Sequence, residues 1–168
     1  MLDQWAWAPY DVPLVPMAIA KRIARLARRL DDLATASLAP YGLERAEFDV
    51  LVTLLRSGAA HEMTPTSLNR YLLLSSGGLT KRLTRLEQRG FVARRLDPDD
   101  RRSLLVALTA EGKALTESAV SAHTAALTSL VAGLPDADRE QLASLLRDVV
   151  LDTDAGTGTA PGLVTATP

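Results

Sequence analysis

Residues 75–109 read SSGGLTKRLTRLEQRGFVARRLDPDDRRSLLVALT. The stretch opens as a short basic helix capped by Ser75 or Ser76, with Leu79, Leu83 and Leu86 on one face. Gly90 stops it. Two strand-like runs follow, residues 91–96 and 102–108, around the turn-forming Asp97-Pro98-Asp99. In the second run Leu104, Val106 and Leu108 face one way, and Ser103, Leu105 and Ala107 the other. A cationic helix leading straight into a cationic hairpin has the layout of a winged helix-turn-helix. That fold sets the helix in a DNA major groove and the hairpin tip in the adjacent minor groove.

Charge supports the same reading. The net charge of −1 hides an asymmetry. Residues 70–102 hold nine basic groups, Arg70, Lys81, Arg82, Arg85, Arg89, Arg94, Arg95, Arg101 and Arg102, against four acids, Glu87, Asp97, Asp99 and Asp100. That segment is +5 and the remainder −6. A basic segment on an acidic body is an electrostatic footprint for a polyanion. Either half alone reads as an ordinary charged surface; the adjacency of the two, both cationic, is what points to DNA.

With the three leucines inward at about 100° per residue, Gly77, Lys81, Thr84, Arg85 and Gln88 project outward. Lysine and arginine donate to guanine O6 and N7, and glutamine pairs with adenine. Gly77 and Gly78 leave the first turn without bulk. Ser75, Ser76 and the first-turn amides form a phosphate anchor, and Arg82 on the flank suits a phosphate. At the hairpin, Arg101 and Arg102 follow a tight turn, and a narrow minor groove attracts inserted arginine. Asp100 stands two residues from Arg102, positioned to orient it. Arg94 and Arg95 on the preceding strand reach toward the backbone.

Outward from this lobe the 168-residue chain is 47% hydrophobic and 23% charged, within the range of one folded domain with tails. Aromatics are only 4%, so Leu, Ala and Val must build the core, and Ala, Leu and Arg favour helix. Trp5, Trp7 and Tyr10 stand among Pro9, Pro13 and Pro16, a proline density that breaks a helix, so residues 1–16 read as an arm packed on the body or a partner. From Met17, Ile19, Ile23, Leu26, Leu30 and Leu33 make one stripe, ended by Pro40 and Gly42. Phe48, Leu51, Val52 and Leu55 form a second stripe, stopped at Gly58. Thr64 is an N-cap and Pro65 a first helical residue, with Met63 and Leu68 at the two positions of a hydrophobic staple and Leu72 also inward. Thr109 caps a long fifth helix with Leu115, Ala119, Ala122, Ala126 and Leu130 in phase, broken at Gly133-Leu134-Pro135. Asp136, Asp138 and Glu140 suit the start of a sixth.

These signals predict a mainly α fold: a winged helix-turn-helix with a small β-hairpin wing and terminal dimerisation helices. The expected division is an arm at 1–16, a winged-helix domain at 17–152 and a disordered tail at 153–168. Within the domain, dimerisation helices fall at about 17–39, 109–132 and 135–152, and the DNA-binding lobe at about 44–108. The Ala- and Leu-rich stripes of the terminal helices are best buried across two chains, predicting a homodimer.

Several function classes are disfavoured. No cysteine is present, which excludes a disulfide framework and thiolate chemistry. No leader-like basic-apolar pattern is visible, and no apolar run approaches the ~18 residues of a membrane span, so no membrane partner and a cytoplasmic location are expected. His61 and His123 are the only histidines and stand in no metal-ligand pattern, so no metal and no cofactor are expected. No acid–base constellation or phosphate-cradling loop marks an enzyme. The competing reading from another class is a winged-helix protein-interaction module that has lost DNA binding; the basic outer face argues against it.

The run TPTSLNRYLLLSSGGLTKRLTRLEQRGFVARRLDPDDRRSLLVALTAEGKAL resembles the MarR family (multiple antibiotic resistance regulators), bacterial winged helix-turn-helix repressors. The LSSGGLTKRLxRLEQRGFVxR and DPDDRRSLxVxLTxEG portions together are specific, and the resemblance covers about residues 17–150. It implies an obligate dimer, a pseudo-palindromic double-stranded operator and release by a small aromatic or anionic effector. By position, Ser75, Ser76, Gly77, Thr80, Lys81 and Arg85 match the family's recognition-helix contacts, and Asp100 and Arg102 its wing Asp-x-Arg pair. Thr84 departs from the Asp that many members carry. Peroxide-sensing members use a cysteine near the first helix, which this chain lacks. Family ligands lie between the dimer helices and the DNA lobe, here the surfaces of Leu30, Leu33, Tyr41, Phe48 and Leu51. Those residues read equally well as core, and Trp5 and Trp7 as a lid.

Overall fold

The computed structural model describes residues 14–72, 76–98, 100 and 103–156. Contact density separates the chain into two compact units, residues 1–127 and 128–168.

The first unit starts with α1 (Leu14–Leu38). Pro16, expected to keep its segment out of helix, sits instead in the first turn of α1. First-turn amides have no intrahelical acceptor, so a proline there removes no hydrogen bond. A short 3-10 turn, Ala39–Tyr41, leads through Gly42 to α2 (Arg45–Leu55). The buried face of α2 is broader than the predicted stripe. Val50 and Leu54 join Phe48 and Leu51 in the interior, while Val52 and Leu55 are half-buried. The cause is that α1, α3, α4 and the sheet all pack on this helix.

A two-residue strand, β1 (Glu62–Met63), was not anticipated by pattern; two residues are too few to show alternation. Thr64 caps α3 (Pro65–Leu72) as its sequence requires, its Oγ1 accepting the Ser67 backbone N–H at 3.1 Å. Leu68 is fully buried and Met63 packs on the same core. The helix α4 (Ser76–Gln88) ends at Gly90, whose φ of +75° suits glycine. There Phe91 N–H donates to Leu86 C=O and Gly90 N–H to Glu87 C=O, both at 2.9 Å, the Schellman pairing that satisfies the last carbonyls. Strands β2 (Val92–Leu96) and β3 (Leu104–Leu108) follow. Among the described residues the sheet is antiparallel in the order β1-β3-β2, with Arg95 opposite Leu105 and Glu62 opposite Ala107.

Thr109 ties the wing to α5 (Ala110–Val131): its hydroxyl donates to Gly90 C=O at 2.7 Å and accepts Gly112 N–H at 2.9 Å. That brings the first turn of α5 hard against the start of β2. A Cβ on Gly112 would lie 1.9 Å from Phe91 C=O, so only glycine fits. The core closes around Leu38, Leu51, Leu54, Leu68, Leu86 and Val106, with Ala119 of α5.

In the second unit, α6 (Asp136–Gly156) runs past the expected boundary at 152 and takes up the first residues assigned to the tail. Its first turn is held by an Asp136–Arg139 ion pair at 3.0 Å, and Arg139 Nε donates to Val131 C=O at 3.1 Å. The arm, including Trp5 and Trp7, and the tail beyond Gly156 lie outside the described residues. No described helix is long and apolar enough to cross a membrane.

Candidate nucleic-acid interface

The α4 helix turns its residues much as its periodicity requires. Leu79, Leu83 and Leu86 are buried, and Gly77, Thr80, Lys81, Arg85 and Gln88 are exposed. Thr84 differs: it is half-buried, and its hydroxyl accepts a hydrogen bond from Arg94 Nη2 at 3.1 Å. Arg94 also pairs with Glu87 at 3.3 Å. Arg94 therefore fastens β2 to α4 in the unbound chain. An Asp at position 84 would meet this guanidinium as an ion pair; Thr84 meets it as a neutral acceptor. Arg82 Nη1 donates to Gly78 C=O within its own helix at 2.9 Å, on the half-buried flank. Arg95 reaches across β3 to Glu62, donating to its two carboxylate oxygens at 2.7 and 2.6 Å. Register explains the reach: Leu105 and Ala107, the partners of Arg95 and Glu62, lie on one face of β3.

The hairpin tip closes through backbone bonds. Asp97 N–H donates to Ser103 C=O at 3.0 Å, and Ser103 N–H to Asp100 C=O at 2.8 Å. Asp100 is exposed. Ser75, Arg101, Arg102 and the Ser76 side chain lie outside the described residues, so the anchor at the helix start and the Asp100–Arg102 pair stay as sequence expectations.

One part of the interface escaped sequence reading. Arg85 is gripped from α2: its Nη1 donates to Glu44 Oε1 at 2.8 Å, and its Nε lies 3.3 Å from Glu47 Oε1. Glu47 is fully buried. Its other oxygen lies 3.5 Å from Arg89 Nη1 and accepts the Glu44 backbone N–H at 3.1 Å. Arg89 in turn donates to Gly42 C=O and Tyr41 C=O and stacks 4.7 Å over the Phe91 ring. The Arg85 hydrogen bond, then its charge, holds the Glu44 carboxyl below the usual carboxylate range, and Glu44 raises Arg85 correspondingly. The available signal was Glu44-x-x-Glu47 heading an apolar helix, with Arg85 and Arg89 four apart on another.

A cleft of about 410 Å³ lies between α3 and α4, lined by Pro65, Asn69, Arg70, Leu79, Thr80 and Leu83 among others. Of the surfaces suggested for an effector, Phe48 and Leu51 belong to the core and Tyr41 packs against it. Leu51 is fully buried, and Phe48 is buried with its ring edge-on to His123. Tyr41, Leu30 and Leu33 are half-buried, and the Tyr41 hydroxyl donates to Ser118 C=O at 3.1 Å. His123 Nδ1 meets Ser37 Oγ at 2.9 Å, and His61 Nδ1 meets Leu55 C=O at 2.9 Å. Among the described residues no group of three His, Cys, Asp or Glu could hold a metal ion.

The profile of the MarR family matches residues 41–103. The HTH-type transcriptional regulator PecS of Dickeya dadantii is 31% identical over 146 residues, spanning 87% of this chain and 88% of its own. A MarR mutant from Escherichia coli, solved in complex with operator DNA, shares the fold with a TM-score of 0.70 at 29% identity, over 83% of this chain and 99% of that one. CouR from Rhodococcus jostii, solved bound to p-coumaroyl-CoA, gives a TM-score of 0.67 at 27% identity, over 78% and 90% of the two chains. The chain belongs to the MarR family of DNA-binding transcriptional regulators.

Proposed function

We propose that this protein is a ligand-responsive homodimeric repressor that binds a pseudo-palindromic operator, with α4 in the major groove and the β2–β3 wing in the minor groove. The observation that carries this reading is the outer face of α4. Lys81, Arg85 and Gln88 stand exposed on a helix whose leucines are buried, in a fold shared with a relative solved on operator DNA. Ser75, Ser76 and Thr80 would contact phosphates at the helix start, Gly77 allows close approach, and Arg101 and Arg102 would enter the minor groove. Arg82, Thr84 and Arg94 support the helix and the wing base.

The dimer reading rests on apolar surface. Val15, Ile19, Ile23 and Leu26 of α1 are exposed in the single chain, and so are Leu145, Val149 and Leu151 of α6. A second copy is the simplest cover for each stripe. The effector reading rests on the relative solved with p-coumaroyl-CoA; a small aromatic or anionic molecule would lie near Leu30, Leu33 and Tyr41, with Trp5 and Trp7 closing over it. A regulator of this kind works in the cytoplasm, beside its DNA, and performs no catalysis of its own.

Selection of bound fragments from a random DNA pool tests the reading. The expected product is a motif with two half-sites about one helical turn apart, roughly 34–36 Å. Selection that enriches no motif would overturn it.

A further inference from the structure

Arg85 is the basic side chain of α4 whose guanidinium is held by carboxylates of another helix. Glu44, exposed at the head of α2, takes a hydrogen bond from Nη1; buried Glu47 lies beside Nε. Among the described residues Nη2 meets no acceptor. Both carboxylates therefore occupy the Nη1 and Nε positions and leave Nη2 presentable.

Two arrangements of this pair have opposite consequences. Glu44 could be a brake, a carboxylate that DNA phosphates must displace. It could instead be a brace that keeps Arg85 aimed while its uncommitted donors meet a base. Glu47 decides between them. Its Oε1 is buried and accepts no hydrogen bond; Arg85 is the charge beside that oxygen, as Arg89 is beside the other. Drawing Arg85 away would leave a buried carboxylate oxygen without its nearest counter-charge, which is far costlier than breaking an exposed pair. Staying beside Glu47 is thus the cheaper course for Arg85 when DNA binds, and Glu44 fixes which way its planar fork turns.

We infer that Glu44 is a positioning residue for sequence discrimination, acting through Arg85 with Glu47 as its buried anchor. A long arginine side chain loses rotamer freedom when it docks on a base edge, and one already braced has less to lose. The inference rests on the reading that α4 meets base edges.

The readout is the ratio of affinities for the selected operator and for a random duplex of equal length. Removing a negative charge near DNA tightens both alike and cancels in that ratio. Glu44→Gln is expected to lower the ratio about fivefold, the size of an ordering cost for one side chain. Glu44→Ser, which keeps a helix-capping oxygen, should do the same. Glu44→Asp should restore most of the loss. In an Arg85→Ala background Glu44→Gln should leave the ratio unchanged. Arg85→Lys keeps a counter-charge for Glu47 and replaces Arg85→Ala if that variant melts below the assay temperature.

An unchanged or higher ratio in Glu44→Gln overturns the brace, and an unchanged ratio with both affinities raised identifies a brake. Persistence of the effect without Arg85 also overturns it. If Arg85→Ala itself leaves the ratio unchanged, the underlying assignment of α4 to base reading fails instead.

Discussion

In the lobe formed by α2, α3, α4 and the sheet, Leu51, Leu54, Leu68 and Leu86 are completely buried. Along the N-terminal half of α1 and along α6 large apolar side chains stay in solvent, with Ile19 47%, Ile23 40% and Leu145 56% exposed. The lobe closes its own core and leaves its arginines on the surface, where they tie elements together or face outward. The exposed stripes of α1 and α6 take no part in that core. One chain therefore holds a lobe with a closed core and helices with apolar stripes left uncovered.

The largest expected effect attacks the closed lobe. Gly112→Ala sets a methyl against the Phe91 backbone rather than a yielding side chain, and should cost about 3 kcal/mol in a denaturant titration. A variant as stable as the parent would mean that α5 is not seated on the wing base. The next effect attacks the uncovered stripes. Ile23→Glu on α1, or Leu145→Glu on α6, puts charge on an apolar stripe, and light scattering should register the mass of one chain rather than two. Retention of the dimer by both would place the assembly surface elsewhere.

Smaller effects belong to the basic face. Arg85→Ala should weaken operator binding about tenfold, with a lesser loss on random duplex. Equal losses on both would make Arg85 a phosphate contact only. Least of all is a pH effect. Arg85 holds the Glu44 carboxyl below its ordinary range, so the contribution of that pair is present above the unfolded carboxylate value and lost only as pH falls through the lowered folded one. The operator-to-random ratio should then stay flat between about pH 8 and pH 6. A step in that window would assign the discrimination to another group.

Much of this was legible in the chain. The leucine spacing of α4, the Thr64 and Thr109 caps and the Gly90 stop are local chemistry, and they appear where the residues require. What escaped is long-range. The β1 strand exists because β3 offers it an edge. The broad buried face of α2 exists because four neighbours surround it. Glu44 and Glu47 look like helix-start acids until α4 brings Arg85 and Arg89 against them. The Glu87 and Glu62 partners of Arg94 and Arg95 likewise appear only in the fold. Charge along a sequence shows which residues are cationic, and only the tertiary fold shows which of them already have a partner.

On the proposed function, the cationic surface of α4 and the wing neutralises DNA phosphates. Titration of a duplex carrying the selected operator, repeated from about 50 to 200 mM salt, tests it most directly. Log affinity should fall linearly with log salt, at a slope of about −0.9 for each phosphate contacted. Absence of duplex binding in dilute buffer, or an affinity indifferent to salt, would contradict it.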